Sequence, residues 1–230
     1  MWIRRMDLAR IRLRRQDVSN VMGDSAASGG VTQDSSIAAV YRMSSMLVLA
    51  SASPRRQELL RNAGISFEVQ PAEIPEDTHP GEPAKDCAER LARDKAMAVA
   101  RQRPQDVVLG ADTIVVVDGQ ILGKPADRAD AVRMLRMLSG REHRVITGVA
   151  LVVSGQWFVA SEITNVTFSE ITEREIADYA ATGEPMDKAG AYAIQGIASR
   201  WVPRVEGDYS NVVGLPVALV YRMLRDNGLL

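Results

Sequence analysis

The chain has 230 residues, 28 Lys and Arg against 29 Asp and Glu, and a formal net charge of −1. At roughly 100–200 residues per domain, that length is one large domain or two small ones, and 46% apolar with 25% charged residues is an ordinary globular composition. The near-neutral balance argues against a nucleic-acid coat or a stable nucleic-acid complex, which need a basic excess to neutralise phosphates. It leaves room for a small basic site.

Cys87 is the single cysteine, so no internal disulfide can form, and a reducing cytosol is expected. With His79 and His143 as the only histidines, Cys and His alone cannot assemble a four-ligand zinc site. The longest apolar runs, such as residues 145–153, are broken by polar residues and fall short of the ~20 needed to span a bilayer. A soluble, cytoplasmic protein without membrane contact is expected.

Charge is unevenly spread. Residues 1–45 hold seven arginines and four aspartates, or +3, while the remainder holds 21 basic and 25 acidic residues, or −4. This segment begins with Arg4, Arg5, Arg10, Arg12, Arg14 and Arg15 and passes into Ser/Gly/Ala-rich sequence without periodicity. Asp7 and Asp17 speak against a transit peptide, which is poor in acids. The expectation is a disordered extension, or translation that really begins at Met43 or Met46.

From Met46 the texture changes. Residues 46–50 (MLVLA) form a short apolar run, as in a buried strand. Ser53 as N-cap and Pro54 in the first turn open a helix whose apolar face (Leu59, Leu60, Ala63) ends at Gly64. Residues 67–69 read as a second strand. The Pro- and acid-rich residues 71–83 form a loop long enough to suggest function or mobility. Residues 84–101 read as a helix, with Cys87, Leu91, Ala92, Lys95, Ala96 and Val99 spaced by three and four. Residues 107–117 are strand material interrupted by Gly110 and Asp112. Asp118-Gly119 signals a hairpin into residues 120–122. Residues 127–138 are an amphipathic helix, and residues 144–153 and 157–168 pair around Ser154-Gly155. Thr172 with Glu175 makes a capping box for a helix through Ala181, and residues 216–225 form a closing helix. No repeat or linker interrupts residues 46–230, which read as a single mixed α/β domain.

The sharpest chemical feature is Ser51-Ala52-Ser53-Pro54-Arg55-Arg56. A helix N-terminus offers unpaired N–H groups and the positive end of the dipole, and its first turn prefers Asp or Glu. Arg55 and Arg56 contradict that preference. Either both are solvated ahead of Glu58, or a polyanion such as a triphosphate docks there beside Ser53. Asp112 lies in an apolar stretch where an unpaired carboxylate is costly. It is expected at a strand end facing a cleft, a metal ion or a basic group, unless it serves only its own turn. Lys95 falls on the apolar stripe of its helix, so it either snorkels or reaches a cleft. Gly123-Lys124-Pro125 is not a Walker A motif, and Lys124 alone reads as a loop lysine. Lys188 has no interpretation in isolation. Glu76 and Asp77 read more readily as solvated than as ligands. The Gln195 amide could read a base edge or satisfy a core hydrogen bond.

The run Leu47-Val48-Leu49-Ala50-Ser51-Ala52-Ser53-Pro54-Arg55-Arg56 resembles the opening signature of the Maf family of nucleoside triphosphate pyrophosphatases. Leu91-Ala92-Arg93-Asp94-Lys95-Ala96, Gly110-Ala111-Asp112-Thr113, Gly123-Lys124-Pro125 and His143-Arg144-Val145-Ile146-Thr147-Gly148 follow in order. Further matches are Asp187-Lys188-Ala189-Gly190-Ala191-Tyr192-Ala193-Ile194-Gln195-Gly196 and Gly207-Asp208-Tyr209-Ser210-Asn211-Val212-Val213-Gly214-Leu215-Pro216. The resemblance runs from Met46 to about Arg225, and residues 1–45 have no counterpart. It implies an α/β fold like that of the inosine triphosphatases: an elongated mixed β-sheet with flanking helices, two lobes around a central cleft, and often a dimer. It implies hydrolysis of a nucleoside triphosphate to the monophosphate and pyrophosphate with a divalent metal, Mg²⁺ or Mn²⁺. The Tyr-Ala-Ile-Gln-Gly form is similar to the branch acting on dTTP and UTP rather than the sister branch acting on 7-methyl-GTP.

Carried over residue by residue, the resemblance makes Asp112 the proton acceptor and associates Arg55, Thr113 and Gln195 with substrate selection. Glu76, Lys95 and Lys124 correspond to polar residues lining the cleft. Oxygen ligands from Asp112 and Glu76 would suit the metal, and Arg55, Arg56, Lys95 and Lys124 would stabilise departing pyrophosphate. The expected role is removal of excess or modified pyrimidine nucleotides. The rivals are a 7-methyl-GTP pyrophosphatase and a nucleotide-binding regulator of septum formation without turnover.

Overall fold

The computed structural model describes residues 46–230; residues 1–45, and the extension expected there, lie outside the described residues. The strands are β1 (Leu47–Leu49), β2 (Glu68–Val69), β3 (Val107–Val117), β4 (Gln120–Leu122), β5 (Glu142–Val153), β6 (Gln156–Thr167) and β7 (Arg204–Glu206). The helices are α1 (Pro54–Asn62), α2 (Ala84–Ala100), α3 (Arg128–Leu138), α4 (Glu173–Ala181), α5 (Tyr209–Val213) and α6 (Val217–Asp226), with three short 3₁₀ turns between Glu184 and Trp201.

One sheet runs β2-β1-β3-β5-β6-β7, with β4 also on β3. β2, β1 and β3 are parallel, and the remaining pairs are antiparallel. The sheet is mixed because β1 and β2 each lead into a helix, whereas β3/β4 and β5/β6 are joined by two-residue turns. Asp118-Gly119 and Ser154-Gly155 have positive φ at both positions, as the twist of such hairpins demands.

Alternation along the long strands assigns the two faces. Val108, Ile114, Val116, Ile146, Ala150 and Val152 face α2. The opposite face carries two separate apolar clusters. Leu109, Val149 and Leu151 pack with Leu60 of α1 and Leu219, Val220 and Met223 of α6. Val115, Val117 and Val145 pack with Met134 and Leu135 of α3 and Ile176 and Tyr179 of α4. Between these clusters Thr113 and Thr147 stand opposite each other in register, their hydroxyls 3.0 Å apart. A polar seam thus separates two apolar packages on this face of the sheet.

β3 corrects one expectation. It runs unbroken through Gly110 and Asp112, so Asp112 is mid-strand rather than at a strand end. Gly110 is required there for a different reason: a Cβ would stand 2.2 Å from Ala92 O of α2. At Gly148, the β5 partner of Asp112, a Cβ would lie 2.2 Å from Ala88 O. Ala88, Ala92 and Ala96 recur every four residues, so a smooth alanine stripe of α2 seats directly on glycine backbone. Asp112 does not break the strand because Lys95 meets it from that same helix.

This close seating makes a prediction. Gly148→Ala forces α2 off the sheet and should lower unfolding free energy by at least about 1–3 kcal/mol, the usual cost of overpacking. Gly123→Ala, with nothing within 4 Å of its Cβ, should change it by no more than about 0.5 kcal/mol. Equilibrium urea unfolding of both variants measures the difference.

Candidate active site

β1 pairs with residues 107–109 of β3 and β4 with residues 115–117, both on the edge opposite β5. Between them, residues 110–114 have no strand partner on that side. Ala50 N–H bonds to Leu109 O, which sets the alternation and turns the backbone polar groups of Ala111 and Thr113 into the gap. A cleft of about 690 Å³ opens there. Through the gap it reaches Asp112 on the α2 face of the sheet and Thr113 on the other.

The first wall is the β1–α1 junction. Ser53 caps α1, its hydroxyl accepting from Arg56 N–H at 3.5 Å, and Ser53 N–H donates to Ser51 Oγ. Pro54 has no N–H, so among the residues of this first turn the Arg55 N–H is left for an anion. The expected row of free amides is therefore largely absent, and the guanidinium groups take over. Arg56 donates to Gly214 O, Ser51 Oγ and Thr113 Oγ1 at 2.8, 3.1 and 3.1 Å. All these partners are neutral, and among the described residues no carboxylate pairs with it. Burial holds its pKa below the ordinary arginine value against the pull of Asp112 and Glu76. Arg55 pairs with Asp187 at 3.0 Å. Neither arginine is simply solvated.

The second element is a charged chain. Lys95 Nζ lies 2.6 Å from Asp112 Oδ1 and 2.6 Å from Glu76 Oε1, and Lys124 Nζ is 3.2 Å from Glu76 Oε2. Lys95 and Asp112 are each only 7% exposed, so the lysine reaches the cleft rather than snorkelling. Asp112 Oδ2 has no partner among the described residues and remains open to the cleft. Burial works to raise the Glu76 pKa, but the two ammonium groups outweigh it and hold the carboxyl below its usual range. Glu76 is thus an ion-pair partner even though its side chain stays exposed.

The loop carrying Glu76 is tied down. Arg90 of α2 donates through Nε and Nη2 to both oxygens of Glu82 at 2.7 Å and to Asp77 O at 2.9 Å. That fork pushes the Glu82 pKa down to about 2. The third wall is the 3₁₀ region. Lys188 Nζ donates to Glu184 O and Asp187 Oδ1, and exposed Gln195 lines the cleft. Its amide makes no hydrogen bond to a described residue, so the core alternative does not hold.

All the residues singled out from sequence as catalytic, substrate-contacting or metal-binding therefore line one cleft. Ser51, Asp187, Lys188 and Tyr192 line the same cleft, and sequence reasoning gives none of them a role. Ser51 has a signal, its place just ahead of the Arg55-Arg56 helix start. The 3₁₀ segment that carries Asp187 and Lys188 has no periodicity from which a direction could be read.

A mixed sheet breached by a cleft with cationic walls and one open carboxylate defines an α/β protein with a polar, charge-lined site. The chain belongs to the Maf family, whose Maf-like protein model matches residues 46–227. Among curated relatives, a dTTP/UTP pyrophosphatase of Koribacter versatilis (strain Ellin345) is 60% identical over 190 residues, spanning 83% of this chain and 98% of that protein. The dTTP/UTP pyrophosphatase of Geobacter metallireducens (strain ATCC 53774 / DSM 7210 / GS-15) is 54% identical over 188 residues, 81% of this chain and 98% of that protein. That of Symbiobacterium thermophilum (strain DSM 24528 / JCM 14929 / IAM 14863 / T) is 54% identical over 182 residues, 79% and 94%. Among the described residues no helix is long and apolar enough to cross a membrane.

Tyr192, on the cleft wall, shares a 2.8 Å hydrogen bond with His143 Nε2, and both pack edge-on against Phe168. Burial pushes the His143 pKa down from 6.5 to about 4. The unfolded chain therefore binds a proton that the folded chain refuses between those values. The stability from a neutral His143 is fully present above pH 6.5 and is lost as pH falls toward 4, by about 3 kcal/mol. Unfolding free energy measured across that range should fall more steeply for the native chain than for His143→Gln.

Proposed function

We propose that the chain hydrolyses dTTP and UTP, and modified pyrimidine analogues, to the monophosphate and pyrophosphate. Clearing such nucleotides is a house-cleaning role exercised on the cytoplasmic pool. The observation that carries the reading is the placement of Asp112: a carboxylate pinned by one oxygen to Lys95, with the other open between cationic walls. The activity named for the similar proteins above fits that geometry.

Release of pyrophosphate requires attack at the α-phosphorus by water, in line with the leaving group. Asp112 Oδ2 accepts the proton of that water and orients it, while Lys95 fixes the carboxylate by its other oxygen. Arg55 and Arg56, on the α1 wall, and Lys124, across the cleft, receive the phosphates, and negative charge building on pyrophosphate is stabilised by them. Arginine supplies forked contacts to phosphate oxygens, lysine a movable point charge. Ser53, at the cap, and Thr113, held between Arg56 and Thr147, complete the substrate contacts. Gln195 faces the base.

Among the described residues no cluster of three or more His, Cys, Asp or Glu side chains stands ready as a complete metal cage. Asp112 and Glu76 nevertheless stand on the same wall of the cleft, each bonded to Lys95 Nζ at 2.6 Å, and Asp112 keeps Oδ2 open for a cation beside that ammonium. Two carboxylates completed by substrate phosphates and water suit Mg²⁺ or Mn²⁺, so this pair fits the expected ion and would hold it. When bound, such an ion neutralises phosphate charge.

Purified protein incubated with Mg²⁺ or Mn²⁺ and a panel of nucleotides should release pyrophosphate from dTTP and UTP in preference to 7-methyl-GTP. Absence of release from every pyrimidine triphosphate would remove the proposal. Asp112→Asn should stay folded and lose at least ~100-fold in kcat, the scale of a general base. Near-native turnover in that variant assigns the proton transfer elsewhere.

A further inference from the structure

Gln195 alone cannot discriminate between pyrimidines. Its amide presents a donor and an acceptor, and a flip exchanges them. Uracil and thymine offer an N3–H donor beside the O4 acceptor. Cytosine reverses both. Discrimination therefore requires that the surface around Gln195 be held in one arrangement.

The structure contains a clamp that does so. Gly196 N–H donates to Ala193 O at 3.1 Å, closing a turn with Ile194 and Gln195 at its centre. The backbone groups of these two central residues make no hydrogen bond to described residues, so they are free beside the amide. Both flanks of the turn are fixed by side chains from outside it. Ala193 N–H donates to Tyr179 Oη at 3.3 Å, Tyr179 donates in turn to Glu184 Oε1 at 2.8 Å, and Ile197 N–H donates to the same Oε1 at 3.2 Å. A Cβ at Gly196 would fall 2.3 Å from that oxygen, so the carboxylate lies directly against the turn. Tyr179 is itself buried in α4 and packs edge-on against Trp201. The clamp thus rests on the core through Tyr179, with the half-buried Glu184 joining it to the turn.

We infer that Tyr179 and Glu184 are positioning residues for pyrimidine selection. They touch no substrate atom, but fix the Ala193–Gly196 turn so that Gln195 and the free backbone groups present one pattern to the imide edge of uracil or thymine. The inference rests on the assignment of Gln195 to the base. Glu184 belongs to the same 3₁₀ turn, Glu184–Asp187, that supplies Asp187 to Arg55. The base-reading turn and the phosphate wall therefore share one support.

UTP and CTP differ only at the edge in question, and their kcat/KM ratio is the readout. Tyr179→Phe and Glu184→Ala should each lower the UTP preference by about 10-fold or more, through a raised KM for UTP, with kcat for UTP within about 3-fold of the native value. Glu184→Gln keeps an oxygen acceptor for Tyr179 and Ile197 and should restore the preference. Thermal melting checks that each variant is folded. Should Glu184→Ala fail to fold, Tyr179→Phe and the glutamine variant still decide the matter. An unchanged ratio in folded Tyr179→Phe, with Gln195→Ala lowering it, overturns the clamp and leaves the role of Gln195 standing. An unchanged ratio in Gln195→Ala as well overturns both.

Discussion

The cleft depends on how closely α2 lies on the sheet. The Ala88, Ala92 and Ala96 stripe rests against Gly110 and Gly148 with no side chain between helix and strand backbone. Such an approach brings the next residue toward the cleft, Lys95, within 2.6 Å of Asp112 in the strand beneath. A larger residue at either glycine would raise the helix and separate the pair. Buried ion pairs contribute little net stability, because desolvation consumes most of the Coulombic gain. The buried Lys95–Asp112 pair is therefore not what holds the fold together; what it does is fix one oxygen of Asp112 and leave the other facing the cleft.

The other half of the design is a defect in hydrogen bonding. β1 ends at Leu49, opposite Leu109, and β4 ends at Leu122, opposite Val115, so the middle of β3 is left with one bare edge. At that bare stretch both faces of the sheet turn polar: Asp112 on one side, Thr113 with Thr147 on the other. α5 closes the seam from below, with Thr147 donating to Asn211 O and Asn211 Nδ2 donating to Val145 O and Thr164 Oγ1. A continuous sheet would have separated Asp112 from Thr113 and Arg56. The gap lets a single ligand address all three.

Residues whose role is encoded by local pattern are legible in the amino-acid sequence alone. The α2 stripe, the caps at Ser53 and Thr172, and the two turn dipeptides all lie where the spacing requires. Arg55 and Arg56 stand out as a broken rule of helix electrostatics, and such conflicts gather at functional sites. What local pattern cannot carry is partnership across the chain. Asp112 reads as a strand-breaker because its cation lies 17 residues away on another element. Lys188 is silent because the turns around it, including Ala191 with φ of +59°, follow no period. The order of the motifs supplies what spacing cannot: it names the residues that meet without showing how.

Charge completes the account. Lining the cleft are the cations Arg55, Arg56, Lys95, Lys124 and Lys188 and the anions Glu76, Asp112 and Asp187, a formal surplus of two positive charges. The rest of the sequence beyond residue 45 works the other way, since that part of the chain as a whole carries −4. The positive surplus is thus local to the cleft and not a property of the domain as a whole. Within the opening every cation but Arg56 already has a carboxylate partner. Arg56, with its three neutral acceptors, is the position where an incoming phosphate gains a partner without displacing one. Lys124 and Glu76, both exposed, can exchange partners at little cost because surface ion pairs are worth about 0–1 kcal/mol. The cleft is therefore graded, with a fixed guanidinium at the α1 wall and exchangeable lysine contacts toward the mouth, and under the proposed function that difference is what would orient a triphosphate.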